Sequence, residues 1–197
     1  MNAEAARKTT WTPEEYLAWE RSSDEKHEYF DGEVFAMAGA SEEHNLIVTN
    51  IVATLWIALR QRPCKVYPSD LRVKIPSTGL YTYPDASVLC DRPEFEDDAA
   101  DTLLNPQVIF EVLSEFTEDY DRGTKFKHYR SIPSFREYVL VSQTEILVEH
   151  STRQDDGSWL LREHHAGGRI VLASIGCEIA LDELYLKVFS GVLPSAT

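Results

Sequence analysis

The sequence has no long apolar run and few cysteines. No segment approaches the roughly 18 consecutive apolar residues that a membrane-spanning helix needs. The N-terminal MNAEAARKTT lacks the apolar centre of a secretory signal, so we expect a cytoplasmic location. The three cysteines (Cys64, Cys90 and Cys177) are odd in number, widely spaced and outside any zinc-type pattern. They are expected to be reduced and mostly buried.

Basic residues are also scarce. The chain has 19 Lys and Arg against 33 Asp and Glu, which gives a formal net charge of −14. Because phosphate binding relies on Lys and Arg, this balance argues against a broad surface for nucleic acid. It does not exclude one cleft in which a divalent cation supplies the positive charge.

Several catalytic signatures are missing as well. The sequence contains neither a GxSxG elbow nor a GxxxxGK[ST] phosphate loop, and no cysteine has a recognisable nucleophile context. Serine hydrolases and P-loop nucleoside triphosphatases are therefore excluded.

The elements that are present predict one α+β domain over residues 1–197, with a central mixed β-sheet flanked by helices. An extra antiparallel strand region is predicted towards the C-terminus. A capped helix is predicted from Pro13, followed by a hairpin that turns at Asp31-Gly32 and by helices over 41–60, 119–130 and 181–187. Residues 91–105 are predicted to form an exposed loop. Strands are predicted over 65–75, 81–90, 107–113, 137–141, 146–150, 158–163 and 170–172.

Two carboxylates stand out in predicted strands. In TYPDASVLC, strand alternation puts Asp85 and Ser87 on the face opposite Ala86 and Val88. In QVIFEVLS, Glu111 interrupts a run that resembles a strand buried on both faces. A buried carboxylate needs a cation, a metal or a proton to be tolerated. Glu111 alone fits a structural salt bridge as well as a functional role.

Five landmarks occur in order along the chain. They are EYFDGEVFAMAGASEEH, the Pro84-Asp85 strand, NPQVIFEVLS, the Asp121-x3-Lys125-x3-Tyr129 stripe and REYVLV. Over nearly its whole length the chain resembles the Uma-two family of predicted endonucleases, within the PD-(D/E)xK restriction-endonuclease-like superfamily.

The resemblance implies a metal site and a catalytic cation. It makes Asp85, Glu111 and the backbone carbonyl of Val112 the ligands of a divalent cation, with Mg²⁺ expected and Mn²⁺ a possible substitute. The superfamily's usual lysine, two residues after the glutamate, is here Leu113. The family pattern moves the basic residue to the following helix and implies Lys125. From the residues alone, an i,i+4 surface pair with Asp121 is the favoured interpretation of Lys125.

Two further residues complete the expected cleft. Glu28 matches an acidic position beside the nuclease core, and its alternative is a solvated strand carboxylate. His44 lies in the first turn of the long helix, either as a phosphate contact or as part of the helix cap. Tyr129 is expected in the core. By the same resemblance we expect DNA as substrate and a homodimer.

Three functions remain open at this stage. The first is a metal-dependent endonuclease that hydrolyses phosphodiester bonds, most simply those of DNA. The second is a catalytically inactive nuclease-fold protein that binds a nucleic acid or a protein partner. The third is a hydrolase, for example a glycosidase, that uses the paired carboxylates as acid and base.

Overall fold

The computed structural model describes residues 10–37, 39–115 and 117–189. The strands are β1 (His27–Phe30), β2 (Glu33–Ala36), β3 (Lys65–Pro68), β4 (Arg72–Ile75), β5 (Leu80–Thr82), β6 (Ala86–Leu89), β7 (Thr102–Leu103), β8 (Val108–Leu113), β9 (Glu137–Ser142), β10 (Leu147–Arg153), β11 (Trp159–His165), β12 (Arg169–Leu172) and β13 (Cys177–Ala180). The helices are α1 (Pro13–Glu20), α2 (Glu42–Leu59), α3 (Glu118–Tyr120), α4 (Phe126–Tyr129) and α5 (Leu181–Leu184). A π-helical turn, Asp121–Lys125, joins α3 to α4.

The strands form two larger sheets and a hairpin. A mixed six-stranded sheet has the order β11-β10-β9-β8-β6-β3, in which β8 and β9 run parallel and the other neighbours antiparallel. A five-stranded sheet has the order β2-β1-β5-β4-β7, and β12 pairs with β13. The architecture is the predicted α+β fold with a mixed sheet and an additional antiparallel C-terminal region.

Two predicted strands are each broken between the two sheets. The segment predicted as one strand over 65–75 is β3 in the six-stranded sheet and β4 in the five-stranded sheet. The segment over 81–90 is likewise divided into β5 and β6. The chain therefore passes between sheets at Tyr83, Pro84 and Asp85, which puts the Pro-Asp pair at the junction.

The local signals in the N-terminal half are confirmed. Thr12 and Glu15 form a capping box on α1, and Ser41 caps α2 by accepting from the backbone N–H of His44. The hairpin turns at Asp31 and Gly32, whose φ angles of 48° and 87° are those of the tight turn that an Asp-Gly pair favours.

Both faces of the six-stranded sheet are covered. On β8, Val108, Phe110 and Val112 face a core that includes α2 and the β12–β13 hairpin. Ile109 and Leu113 face a second core that includes Tyr129 and Tyr138. Strand alternation places Glu111 on this second face, below the helical segment over 118–129.

Two expectations for the middle of the chain are wrong. The stretch predicted as an exposed loop over 91–105 contains β7, which is buried and pairs in parallel with β4. Cys64 and Cys90, expected to be reduced, form a disulfide. They precede β3 and follow β6, and the pairing of Lys65 with Leu89 puts them opposite each other. Cys177 is a buried free thiol, as expected.

The predicted C-terminal elements are largely present. Strands β9 to β12 occur where they were expected, β13 was not predicted, and α5 is shorter than the helix predicted over 181–187. Over the ranges that the structure describes, no helix is long and apolar enough to cross a membrane.

Candidate metal and nuclease site

Asp85 immediately precedes β6, and Glu111 lies on the neighbouring antiparallel strand β8. The register pairs Ala86 with Phe110, so continuing it by one residue puts Asp85 opposite Glu111. Directly opposed residues have Cβ atoms about 4.5–5.5 Å apart on one face of a sheet. The two carboxylates that the sequence singled out are therefore brought together.

Asp85 is held by two contacts. Its Oδ2 accepts a hydrogen bond of 2.7 Å from the backbone N–H of Val112, and its Oδ1 lies 3.1 Å from Nε2 of His44. The N–H and C=O of one strand residue point to the same side. The Val112 carbonyl is thus directed to the side on which Asp85 lies.

Glu111 is 4% exposed, and its charged form is costly there. Both of its hydrogen-bonding contacts use Oε1, one with the Tyr129 hydroxyl and one with Nζ of Lys125, each at 2.9 Å. Burial raises the pKa of the Glu111 carboxyl well above its ordinary value, the positive charge of Lys125 opposes this rise, and the negative charges of Asp121 and Asp85 add to it. Oε2 remains as the oxygen that can bind a cation.

Lys125 is delivered by the π-helical turn and is only 5% exposed. Its Nζ also lies 3.4 Å from Oε1 of Glu28 and 3.4 Å from Oδ1 of Asp121. Burial opposes the charged amine, but the carboxylates of Glu111, Glu28 and Asp121 together raise the pKa of Lys125 well above its ordinary value. The alternative of a surface pair with Asp121 is wrong, because both side chains are buried.

Leu113 occupies the position at which the superfamily usually has its lysine. It shares the Glu111 face of β8 and packs in the second core with Tyr129 and Leu140. A lysine there would enter an apolar cluster, whereas Lys125 reaches Glu111 from the helical segment above the sheet.

Glu28 and His44 reach the site from different elements. Glu28 lies on β1, in the five-stranded sheet, and accepts a hydrogen bond from the Thr82 hydroxyl. It is largely buried, so the alternative of a solvated strand carboxylate is wrong. His44 belongs to the first turn of α2, where the Ser41 hydroxyl supplies the cap, and its ring faces Asp85.

Sequence reasoning missed three neighbours of this cluster. Tyr129 was expected in the core and is fully buried, but its hydroxyl also binds Glu111. Asp121 was considered only as a partner of Lys125 on the surface. Tyr120 went unnoticed, although burial and the negative charge of Glu28 raise its pKa to about 12. The D-x3-K-x3-Y spacing was the available signal for the first two.

The charges of the cluster are unbalanced in a way that suits a divalent cation. Three carboxylates (Glu111, Glu28 and Asp121) lie within 3.4 Å of Nζ of Lys125, and the negative charge of Asp85 also acts on Glu111. Within the described ranges, no three or more His, Cys, Asp and Glu side chains are arranged to hold a metal ion by themselves. Two acids and one carbonyl nevertheless fit Mg²⁺, which is commonly bound through one or two carboxylates and retains several waters.

The chain matches a known protein family over most of its length. A family described as "Putative restriction endonuclease", Uma2, matches residues 13–182. The chain belongs to the Uma2 family. The match spans every residue of the cluster, from Glu28 to Tyr129.

Two curated relatives of this Uma2 chain are uncharacterized proteins of Synechocystis sp. One is 40% identical over 174 residues, which cover 88% of the chain and 90% of the relative. The other is 38% identical over 152 residues, which cover 77% of the chain and 86% of that relative.

A solved structure shares the fold. It is the crystal structure of "a putative nuclease belonging to DUF820 from Anabaena variabilis", with a TM-score of 0.72 and 18% identity, covering 91% of this chain and 99% of that one. The Uma2 chain therefore has a restriction-endonuclease-like core, and family and fold together place it among nuclease-like proteins.

Proposed function

We propose that this protein is a divalent-metal-dependent endonuclease that hydrolyses phosphodiester bonds, with DNA as its substrate. The observation that carries the proposal is the convergence of three predicted residues. Asp85, just before β6, lies opposite Glu111 of β8 when the register is extended by one residue, and Nζ of Lys125 lies 2.9 Å from Glu111. Composition or secondary structure alone would not bring a lysine from a later helix to this pair.

The proposed ligands are the Asp85 carboxylate, Oε2 of Glu111 and the backbone carbonyl of Val112. These hard oxygen donors suit Mg²⁺, and Mn²⁺ has similar preferences. When bound, the cation would polarise the scissile phosphate and lower the pKa of an attacking water.

The surrounding side chains prepare the site for that chemistry. Protonated Lys125 offsets the carboxylate charge and can stabilise negative charge that develops on the attacked phosphate. The Tyr129 hydroxyl fixes one Glu111 oxygen and so orients the other. His44 holds Asp85 through Nε2 and, when protonated, can also contact a phosphate oxygen. Glu28 keeps Lys125 positively charged and is a candidate to orient a water.

A second candidate function is a nuclease-fold protein that has lost catalysis and binds a nucleic acid or a protein. The net charge of −14 and the apolar residue at the usual lysine position favour it. The arrangement of Lys125 favours the enzyme, because it brings a positive charge to the two proposed metal ligands.

The decisive experiment compares Asp85→Asn with Asp119→Asn, which changes an exposed carboxylate on the nearby α3. Plasmid cleavage is measured with Mg²⁺, with Mn²⁺ and with a chelator, and Mg²⁺ binding is measured by calorimetry. We expect Asp85→Asn to abolish binding and cleavage and Asp119→Asn to retain both.

Other outcomes of these measurements would contradict the endonuclease or favour one of the two alternative functions. Full metal-dependent cleavage by Asp85→Asn would refute the assignment. A wild-type protein that binds no divalent cation supports the inactive scaffold. Hydrolysis of a glycoside that persists with chelator would instead favour acid–base catalysis by the two carboxylates.

A further inference from the structure

Four neighbouring basic residues lie where the helical segment above the six-stranded sheet ends. They form the basic patch, which consists of Lys127, Arg130, Arg136 and Arg153. The backbone N–H of Arg153 donates to the Arg136 carbonyl at 2.8 Å, so these two residues are adjacent. Nη1 of Arg153 lies 3.5 Å from the carbonyl oxygen of Ile132, two residues after Arg130. Lys127 is on α4, three residues before Arg130, and helical side chains at this spacing are neighbours.

The basic patch has no acidic partner in the part of the chain that the structure describes. None of its four side chains forms an ion pair with a described carboxylate. The chain has 33 acidic residues against 19 basic ones, so four neighbouring cations without an ion pair are exceptional.

The acids closest to the basic patch along the chain do not neutralise it. They are Glu137, Asp155 and Asp156. Glu137 is buried on the opposite face of the sheet, where it binds His150. Asp156 accepts a hydrogen bond from the backbone N–H of Ser158, and Asp155 forms no ion pair with a described residue.

The arrangement of two of the arginines costs stability. Extending the β9–β10 register by one residue, from Glu137 opposite Thr152, puts Arg136 opposite Arg153. Like charges directly opposite one another on neighbouring strands are destabilising. The fold gains nothing from this pair, whereas a ligand of negative charge would neutralise both side chains.

Aromatic rings support the basic patch from below. The guanidinium of Arg130 lies 5.1 Å from the centroid of the Phe126 ring. This ring in turn packs edge-on against Trp159, with centroids 5.1 Å apart. Trp159 is the register partner of Arg153 across β10 and β11. Arginine stacked on a ring is well suited to bind phosphate, because its planar donors are held in place before binding.

The basic patch and the proposed metal site lie on the same face of the six-stranded sheet. By strand alternation, Arg136 is on the side of Tyr138, whose ring belongs to the second core, and Glu111 is also on this face. The backbone N–H of Arg136 donates to the carbonyl of Gln107, four residues before Glu111 on the neighbouring strand. At about 3.3 Å per residue, the basic patch begins roughly 13 Å from Glu111.

We propose that the basic patch binds the phosphodiester backbone of duplex DNA beside the cleaved bond. The choice of DNA rests on the proposed function. One strand of a duplex advances about 3.4 Å per nucleotide, so the contacts fall about four nucleotides from the bond at the metal site. The rest of a surface with a net charge of −14 repels DNA, so this one patch also sets the direction in which the duplex leaves the site.

An acidic segment of a partner protein fits the observations less well. It would offer the same charge, but it has no need of a surface on the same sheet face as the metal site. A DNA strand that reaches the metal site must continue across the neighbouring surface, and Lys and Arg there provide affinity that does not depend on base sequence.

Fluorescence anisotropy with a labelled DNA duplex tests the proposal on the full chain. Binding is measured with chelator, so that neither cleavage nor a bound metal contributes, and over a range of KCl concentrations. Lys127→Gln/Arg136→Gln should weaken binding by about tenfold or more. It should also reduce the slope of log affinity against log salt by about 1.8, because each neutralised phosphate contributes about 0.9.

The matched control is Arg60→Gln/Arg162→Gln. It removes the same charge from exposed arginines outside the basic patch, one at the end of α2 and one on β11, and should bind DNA like the wild type. With Mg²⁺, the Lys127→Gln/Arg136→Gln protein should cleave plasmid with a raised KM and an unchanged kcat, because only binding of the substrate is weakened.

Thermal melting shows whether the variants fold. Relief of the repulsion between Arg136 and Arg153 should leave Lys127→Gln/Arg136→Gln at least as stable as the wild type. Arg153→Gln, which removes the other member of the opposed pair, replaces it if that protein does not fold.

Four results would overturn the proposal. They are a wild type that binds no DNA, a Lys127→Gln/Arg136→Gln protein with wild-type affinity and salt slope, an equal loss in the control, and poly-glutamate binding that depends on the basic patch when DNA binding does not. The last result would assign the surface to an acidic protein partner. A wild type that binds DNA through the basic patch but does not cleave it with Mg²⁺ contradicts the nuclease assignment instead, and supports the surface.

Discussion

Nζ of Lys125 lies 2.9 Å from Oε1 of Glu111, and both side chains are almost completely buried. Each group makes the charge of the other tolerable. Removing one partner of a buried ion pair leaves an uncompensated charge, which costs far more than a surface pair contributes. The pair is thus both a structural element and the centre of the proposed catalytic site.

Lys125→Met should therefore reduce stability as well as cleavage. We expect a loss of about 3–5 kcal/mol in the free energy of unfolding, measured by urea denaturation without metal. Adding Glu111→Gln to this variant should recover part of the loss, because the unpaired carboxylate is then gone. Equal stability of the single and double variants would contradict the coupling between the two side chains.

Tyr129→Phe isolates the role of one hydroxyl. It removes the hydrogen bond to Glu111 and keeps the ring in the core, so we expect a loss of about 1–3 kcal/mol in stability. Mg²⁺ affinity should also fall, since Glu111 is then less well oriented. Tyr16→Phe is the control, because the Tyr16 hydroxyl binds the backbone of His27 instead. If both variants bind Mg²⁺ equally well, Tyr129 does not position Glu111.

The disulfide between Cys64 and Cys90 should stabilise the fold under oxidising conditions. The two cysteines are 26 residues apart, and closing a loop of that size contributes about 3–4 kcal/mol in the chain-entropy description. We expect reductant, or the Cys64→Ser/Cys90→Ser variant, to lower the urea midpoint by a matching amount. Cys177→Ser, which removes the buried free thiol, should leave the response to reductant unchanged.

Arg21, which directly follows α1, forms an acid-sensitive ion pair with Asp101, which directly precedes β7. Hydrogen bonds from Arg21 lower the pKa of Asp101 from 3.8 to about 2, against a smaller opposing effect of burial. Because the folded pKa is the lower one, the stabilisation is present above pH 3.8 and is lost as pH falls towards 2. Asp101→Asn should flatten this part of the profile of unfolding free energy against pH. An unchanged acid limb would show that the contact contributes nothing.

The parts of the fold that depend on local chemistry were predictable. The α1 capping box, the Asp31-Gly32 turn and the cap of α2 are specified within a few residues. The break between β3 and β4 was not predictable, because it depends on which distant strand each half pairs with. The two-residue β7 was missed because a loop-like composition hides its pairing with β4.

The site residues also divide into those that the sequence indicated and those that only three-dimensional contacts reveal. Strand alternation singled out Asp85, and the apolar run around Glu111 singled out the second carboxylate. Extending the β6–β8 register by one residue puts the two opposite each other. The position of Lys125 followed from the family resemblance, since no local signal separates a buried helical lysine from an exposed one. The Tyr129 hydroxyl and the Cys64–Cys90 bond needed three-dimensional contacts.

The π-helical turn over Asp121–Lys125 makes the site sensitive to chain length. A π turn holds one residue more than an α turn, so deleting Gly123 would allow the segment to rewind as a continuous α-helix. Such a deletion would change the spacing of Asp121 and Lys125 from i,i+4 to i,i+3 and displace Asp121 relative to Lys125 and Tyr129. A substitution at the same glycine meets no neighbouring atom within 4 Å of an added Cβ. At this position the number of residues therefore matters more than their identity.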